Sequence, residues 1–130
     1  MRVDLAIVGG GPAGSAAAIT ASRAGMSVLL VDKATFPREK CCGDGLTALA
    51  LRLGEGLGHV PSPIQGCQEV IYHKIHPPGG RSTRYPLPRG DGLYAAVVPR
   101  LEYDAALLDL ARSAGAEVRD GHGLTGISVD

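Results

Sequence analysis

Leu5-Ala6-Ile7-Val8-Gly9-Gly10-Gly11-Pro12-Ala13-Gly14 is an apolar strand that runs into a glycine turn with a proline just behind it. A second apolar run, Val28-Leu29-Leu30-Val31, ends on Asp32, about 20 residues past the turn, the interval a dinucleotide-binding βαβ unit requires. Gly9 permits the tight turn, Gly11 lets the backbone approach a pyrophosphate, and Gly14 lets the helix close onto the strand. Pro12 fits the first helical turn, where its missing N–H costs nothing. From Ala13 onward the first-turn amides and the helix dipole face the phosphates. Asp32 is placed to accept hydrogen bonds from an adenosine ribose. Its charge repels a 2′-phosphate and so disfavours NADP at this turn, an exclusion that neighbouring Lys33 weakens slightly. A glycine turn alone also reads as plain packing of strand on helix; strand, helix, second strand and terminal acid in order favour the dinucleotide.

With 130 residues the chain is at most one domain. Basic and acidic residues balance at 13 each, so no net field points to nucleic acid or an anionic membrane as partner. Apolar content of 45% suits a globular protein, while 19 Gly, 9 Pro and no Trp indicate a loop-rich one. The N-terminus starts directly on a strand without a basic n-region or cleavage site, and no apolar run reaches membrane-spanning length. Cys41, Cys42 and Cys67 are odd in number and lack metal-ligand spacing, so no metal site is expected and a reducing cytoplasm fits. Cys67 reads as buried or inert. His59, His73, His76 and His122 lie apart and receive no role.

The pattern predicts a strand over Val3–Val8, a helix over Pro12–Ala24 with Gly25 at its C′ position, and a strand over Val28–Asp32. An irregular connection, 33–45, precedes a short helix over Leu46–Leu53 stopped by Gly54. Strands are expected over Glu69–Ile75, Ser82–Leu87 and Tyr94–Val98, with Pro77-Pro78-Gly79-Gly80 as a turn. Helix Leu101–Ala114 carries Leu101, Ala105, Leu108 and Ala111 at helical spacing and ends at Gly115. Strands over Glu117–Arg119 and Leu124–Val129 complete an α/β reading: a parallel sheet with helices, plus inserted antiparallel strands in an excursion of about 54–92. Val3–Val8, Val28–Asp32 and Glu117–Arg119 supply half of a doubly wound sheet and leave the first strand as an apolar edge. The chain therefore reads as the N-terminal part of a longer protein, and the 130 residues alone are not expected to retain FAD or turn over.

Phe36-Pro37-Arg38-Glu39-Lys40-Cys41-Cys42-Gly43-Asp44-Gly45-Leu46-Thr47 resembles the F-P-R-x-K-x-C-G-D-G-L loop of the geranylgeranyl reductase family of flavoproteins. Val97-Val98-Pro99-Arg100-Leu101-Glu102-Tyr103-Asp104-Ala105-Ala106-Leu107-Leu108 resembles that family's V-x-R-x-x-F-D-x-x-L segment, and Ala114-Gly115-Ala116-Glu117-Val118 its G-A-x-V. The likeness covers nearly the whole chain and weakens between Gly54 and Asp91. It implies the N-terminal portion of a Rossmann-like, p-hydroxybenzoate-hydroxylase-like FAD-binding domain, with FAD rather than NAD as the dinucleotide. It further implies reduction of isolated C=C bonds in isoprenoid, geranylgeranyl-type chains, with NAD(P)H or another donor reducing the flavin. A prenyl-lipid substrate is compatible with peripheral membrane attachment of a cytoplasmic protein, although no lipid-docking stretch is visible.

The cofactor set expected under this resemblance is Gly9, Gly11, Pro12, Ala13, Gly14, Asp32, Lys33, Arg38, Gly43, Gly45, Leu46, Arg100 and Leu124. Gly43 and Gly45 bracket Asp44 where backbone amides can point at a flavin or its ribityl chain. Arg100, between a strand end and a helix, can clamp a pyrophosphate bidentately; its bland alternative is a solvated helix-end arginine. By the resemblance, the Leu124 backbone lies against the adenine. Cys42 and Asp44 are the catalytic candidates. A thiol there can gate redox state beside Arg38 and Lys40, or Cys41 and Cys42 are simply small residues in a tight loop. Asp44 can relay a proton if burial raises its pKa, or it caps helix Leu46–Leu53. The competing readings are a flavin monooxygenase or halogenase of the same fold, and a truncated, non-catalytic product. Halogenases usually carry Gly-Glu-Ser where this chain has Gly43-Asp44-Gly45.

Overall fold

In the computed structural model, which describes residues 2–90 and 92–129, the chain divides into two compact units. The first combines residues up to Cys41 with those from Arg100 onward; the second spans Cys42–Pro99, so it contains the 54–92 excursion and starts before it.

The first unit is built on strands β1 (Leu5–Val8) and β2 (Val28–Asp32). Between them runs helix α1 (Pro12–Arg23). β1 pairs with β2 in parallel, Leu5 opposite Val28 through Val8 opposite Val31. On the other side of β2 lies the parallel strand β8 (Glu117–Asp120), Leu29 opposite Glu117. The order is thus β1-β2-β8, with β1 at one edge among the described strands and Val8 59% exposed. Helix α3 (Arg100–Ser113) packs against α1 and precedes β8. Ala18 and Ile19 of α1, Val28 and Leu30 of β2, and Leu107, Leu108 and Ala111 of α3 form the core.

Both helices end as their glycines predict. Gly25, at φ +85°, follows α1; its N–H donates to Ser22 and that of Met26 to Ala21. Gly115, at φ +105°, does the same for α3 through Arg112 and Ala111. This left-handed closure satisfies the last carbonyls of each helix. The buried face of α3 differs from expectation: Tyr103, Asp104, Leu107, Leu108 and Ala111 are buried, whereas Leu101 and Ala105 are half-buried.

The second unit holds a small antiparallel sheet in the order β3-β7-β4. Its strands are β3 (Gly45–Leu46), β4 (Gln68–Glu69) and β7 (Ala96–Val97). A hairpin of β5 (Tyr72–Ile75) and β6 (Thr83–Pro86) and a helix, α2 (Ala48–Gly56), complete it. The strand expected over Glu69–Ile75 is therefore two strands, each with its own partner. α2 also departs from Leu46–Leu53. Gly45 and Leu46 pair with Val97 and Ala96, so the helix starts after them, capped by the Thr47 hydroxyl on the Ala50 N–H. Gly54 does not stop it; it is buried inside the helix, and the left-handed residue is Gly58 (φ +83°), with His59 N–H on the Gly54 carbonyl.

Leu124–Val129 is not a strand: residues 122–129 are exposed and carry no ladder. An apolar alternation makes a strand only where it meets the hydrogen bonds of a neighbouring edge, and residues 124–129 pair with none of the described strands.

Candidate nucleotide-binding site

The glycine turn is held by its own backbone and by Asp32. Gly9, at φ +107°, donates its N–H to the Val31 carbonyl at 2.8 Å. The Gly10 N–H donates to Asp32 Oδ2 at 2.7 Å, and the Ala34 N–H to Asp32 Oδ1 at 2.8 Å. Asp32 thus ties the turn to the end of β2, and each carboxylate oxygen keeps a further lone pair for a ligand. Ser15, buried in α1, donates its hydroxyl to the Gly10 carbonyl at 3.1 Å.

Each glycine of the turn meets a different constraint. A Cβ on Gly14 would sit 1.8 Å from the Gly9 carbonyl oxygen, so only glycine lets α1 close on the turn. One on Gly10 would press on the Phe36 ring at 3.2 Å and on Leu108 at 3.3 Å. One on Gly11 would meet only Arg38 Nη2, at 3.6 Å, an ordinary contact. The fold leaves room for a Cβ at position 11, with the Arg38 guanidinium as its neighbour.

Gly11 is also the N-cap of α1, with no side-chain cap, and Pro12 follows it. The amides of Ala13 and Gly14 lie in the first turn, which lacks intrahelical acceptors, and anions bind at such ends. A cavity of about 370 Å³ opens beside the turn, lined by Val8, Gly9, Asp32, Lys33, Gly123 and Leu124. Leu124 reaches it because Gly121 and His122 donate their N–H groups to the carbonyls of Ala34 and Asp32. A second cavity, about 320 Å³, is lined by Asp32, Lys33, Ala34, Arg38, Glu39 and Lys40.

The loop carrying Phe36 and Arg38 is fastened from below. The Phe36 N–H donates to Asp120 Oδ2 at 3.0 Å, and Arg112 lies 3.0 Å from Oδ1. The Phe36 amide, with Arg112 adding to it, holds Asp120 below the usual carboxylate range. The Arg38 guanidinium lies over the Phe36 ring, 4.7 Å from its centroid. Asp104, fully buried, is the anchor for both site arginines. Arg100 grips it bidentately, Nε on Oδ1 and Nη2 on Oδ2, both at 2.7 Å. Arg38 Nη1 lies 3.1 Å from Oδ2. Arg100 is therefore not a solvated helix-end residue: its Nε–Nη2 edge is turned on Asp104. Burial, and then the Asp104 charge, push the neighbouring Tyr103 hydroxyl up.

Gly9, Asp32, Lys33 and Leu124 thus share one cavity, and Gly11, Pro12, Ala13, Gly14 and Arg38 gather at the start of α1. Cys42, Gly43, Asp44, Gly45 and Leu46 belong to the second unit. Cys41, where the first segment of the first unit ends, and Cys42, at the start of the second unit, are both exposed. Asp44 is half-buried in the left-handed region (φ 55°), its carbonyl accepting from the Val98 N–H. It does not cap the helix; Thr47 does. Gly45 and Leu46 line a mostly apolar cavity of about 470 Å³ with Val70, Leu87, Tyr94 and Val97. Cys67 is half-buried, and burial pushes its thiol up. Sequence reasoning missed Asp104, Ser15, Phe36 and Asp120. Two signals pointed to Asp104: its place at the D of the V-x-R-x-x-F-D-x-x-L segment, and its spacing four residues after Arg100, on the same helix face as Leu107, Leu108 and Ala111.

Residues 4–50 match the family described as FAD dependent oxidoreductase. Over 99% of its length the chain is 39% identical to a menaquinone reductase of Mycolicibacterium smegmatis. Over 91% it is 37% identical to digeranylgeranylglycerophospholipid reductase 2 of Methanopyrus kandleri. It spans 31% and 28% of those two proteins. Among solved structures it superposes on a geranylgeranyl bacteriochlorophyll reductase-like protein of Thermoplasma acidophilum with a TM-score of 0.83 at 26% identity. That match covers 98% of this chain and 32% of the other. It superposes equally on a flavin-dependent brominase, TM-score 0.84 and 26% identity, covering 100% and 32%. The fold is that of the Rossmann-type FAD-binding flavoproteins. Residues 4–50 thus match an FAD-dependent family, and geranylgeranyl reductases are among the proteins the chain is similar to, so FAD is the cofactor against which the site is compared.

The residues present fit that cofactor. The open side of Gly11, the uncapped start of α1 and the cationic Arg38 suit a diphosphate, and the cavity between Asp32 and Leu124 suits an adenosine.

Proposed function

We propose that this chain supplies the FAD-holding portion of an oxidoreductase that reduces C=C bonds of a polyprenyl chain, with a nicotinamide as electron donor. The observation that carries the cofactor half of this reading is the single cavity shared by Gly9, Asp32 and Leu124 beside an uncapped helix start. Asp32, already fixed by two backbone amides, presents its remaining lone pairs to a ribose without losing freedom on binding. The turn amides and Arg38 take the diphosphate. The bound flavin supplies the hydride for one alkene carbon, and the other carbon takes a proton. Cys42 and Asp44 are the catalytic candidates that the Cys42–Gly45 stretch offers.

The fold alone does not choose the substrate, since it also serves a brominase. What favours a prenyl substrate is the chemistry common to the relatives' names: menaquinone and digeranylgeranylglycerophospholipid both carry polyprenyl chains. The Gly43-Asp44-Gly45 stretch agrees with that branch. A substrate of this kind resides in a membrane, which makes peripheral docking part of the proposal; among the described residues no helix is long and apolar enough to cross one.

The test is anaerobic incubation of the full-length protein with FAD, NADPH and either geranylgeranyl diphosphate or menaquinone, followed by mass spectrometry. Prenyl chains heavier by whole multiples of two hydrogens are expected, read after any menaquinol has been reoxidised to the quinone. Unchanged prenyl chains in the presence of reduced flavin would refute the reading, as would products carrying oxygen or halogen when the incubation is repeated in air with halide.

A further inference from the structure

We propose that Asp104 is the positioning residue that aims Arg38 at the diphosphate, an inference that rests on the FAD reading of this site. Asp104 sits in α3 with no exposed surface, on the buried helix face it shares with Leu107, Leu108 and Ala111. A buried carboxylate is tolerated only when paired and hydrogen-bonded. Arg100 alone meets that need: its two nitrogens at 2.7 Å occupy both carboxylate oxygens and neutralise the charge.

Arg38 is therefore a second cation on an anion already compensated. Its Nη1 lies 3.1 Å from Asp104 Oδ2, near enough for attraction, yet it is buried without a hydrogen-bond acceptor. Its Nη2 faces the other way, toward the Cβ position of Gly11 at the start of α1. Phe36 supports the guanidinium from one side, and only 16% of the Arg38 side chain is exposed. An ordinary surface arginine would need to lose rotamer freedom when it gripped a phosphate; this one has lost it on folding. The anchored pair carries one more positive than negative charge, and the surplus falls on the arginine that borders the uncapped helix. Lys33 and Lys40 line the same cavity as Arg38 and are balanced by Asp32 and Glu39, so the surplus positive charge there is that of Arg38.

Removing the Asp104 charge has two opposite effects, and this makes the idea testable. If the carboxylate only balances charge, its loss leaves two unneutralised guanidiniums, and phosphate binding strengthens. If it aims Arg38, the arginine swings free and phosphate binding weakens despite the added positive charge. The experiment compares ADP with adenosine on flavin-stripped full-length protein by calorimetry, for wild type, Asp104→Asn, Asp104→Glu and Arg38→Gln. We expect Asp104→Asn to weaken ADP by about 10- to 100-fold, the range outer-shell partners command, and to leave adenosine unchanged. Asp104→Glu, which keeps the charge and shifts its reach, recovers part of the loss. Arg38→Gln weakens ADP similarly, and the double variant Arg38→Gln/Asp104→Asn adds little, because the two act as one unit. Equal or tighter ADP binding by Asp104→Asn overturns the proposal, as does equal weakening of ADP and adenosine. Should Asp104→Asn fail to fold, Asp104→Glu carries the test: selective loss of ADP supports the proposal and unchanged ADP overturns it. Wild-type protein that binds neither ligand overturns the FAD reading as well.

Discussion

Substituting alanine at Gly14 and valine at Gly11 should separate what the turn does for folding from what it does for the ligand. At Gly14 the new Cβ would lie 1.8 Å from the Gly9 carbonyl oxygen, where real Cβ atoms keep at least 3.0 Å. The obstructing atom is backbone, so it cannot rotate away; α1 must lift from the turn instead. Overpacking of this kind costs about 1–3 kcal/mol, occasionally more, and the rigid neighbour places Gly14→Ala at the upper end. For a chain of this size each kcal/mol shifts the melting temperature by about 3–4 °C, so a loss of about 10 °C is expected. At Gly11 the backbone (φ −72°, ψ −177°) suits valine, and the nearest atom to a Cβ is 3.6 Å away. The fold should lose only about 0.5–1 kcal/mol, from a poorer N-cap. A valine there fills the space of the diphosphate. Losing two charge-assisted hydrogen bonds, at about 1.5–3 kcal/mol each, weakens ADP binding by about 100-fold or more. Thermal melts by circular dichroism and ADP titrations read the two effects apart. A Gly14→Ala protein that melts with wild type would refute the close packing of helix on turn. A Gly11→Val protein that binds ADP normally would refute the phosphate site.

Two further outcomes follow from the titrating groups. Asp120, held below its ordinary 3.8 by the Phe36 amide, stabilises the native chain above that pH and loses the contribution as pH falls through its native value. Chemical denaturation of wild type and Asp120→Asn should therefore show a stability gap at neutral pH that closes below about pH 3.8; a gap constant down to pH 2 would sink the account. Cys41 and Cys42 are exposed while burial raises the Cys67 thiol, so a thiol reagent at pH 8 should label the first two well before Cys67, as read by peptide mass mapping. Equal rates at all three positions would contradict the burial.

The βαβ unit was legible in the chain because its determinants are local. A positive φ at Gly9 and Gly25, a proline at a helix start and the run of alanines in α1 act within a few residues of themselves. The acid at the end of β2 was equally legible, since two strands of fixed length and one helix fix its register to the turn. What the acid does there was only half visible. That Asp32 already grips the Gly10 and Ala34 amides depends on how β2 lies beside β1.

The misread elements share one cause. Leu124–Val129 alternates like a strand, but a ladder needs a neighbour that the alternation cannot specify. Gly54 resembles a helix stop, yet burial in its unit carries the helix past it to Gly58. Asp104 is the clearest case. Its spacing from Arg100 was in the sequence, but its burial and the arrival of Arg38 from a loop more than sixty positions away were not. Sequence alone determined the glycine turn and its βαβ unit, because backbone dihedrals and short-range hydrogen bonds obey local rules. Only the tertiary structure decided which charges surround it, because electrostatic partners are chosen by distance in space.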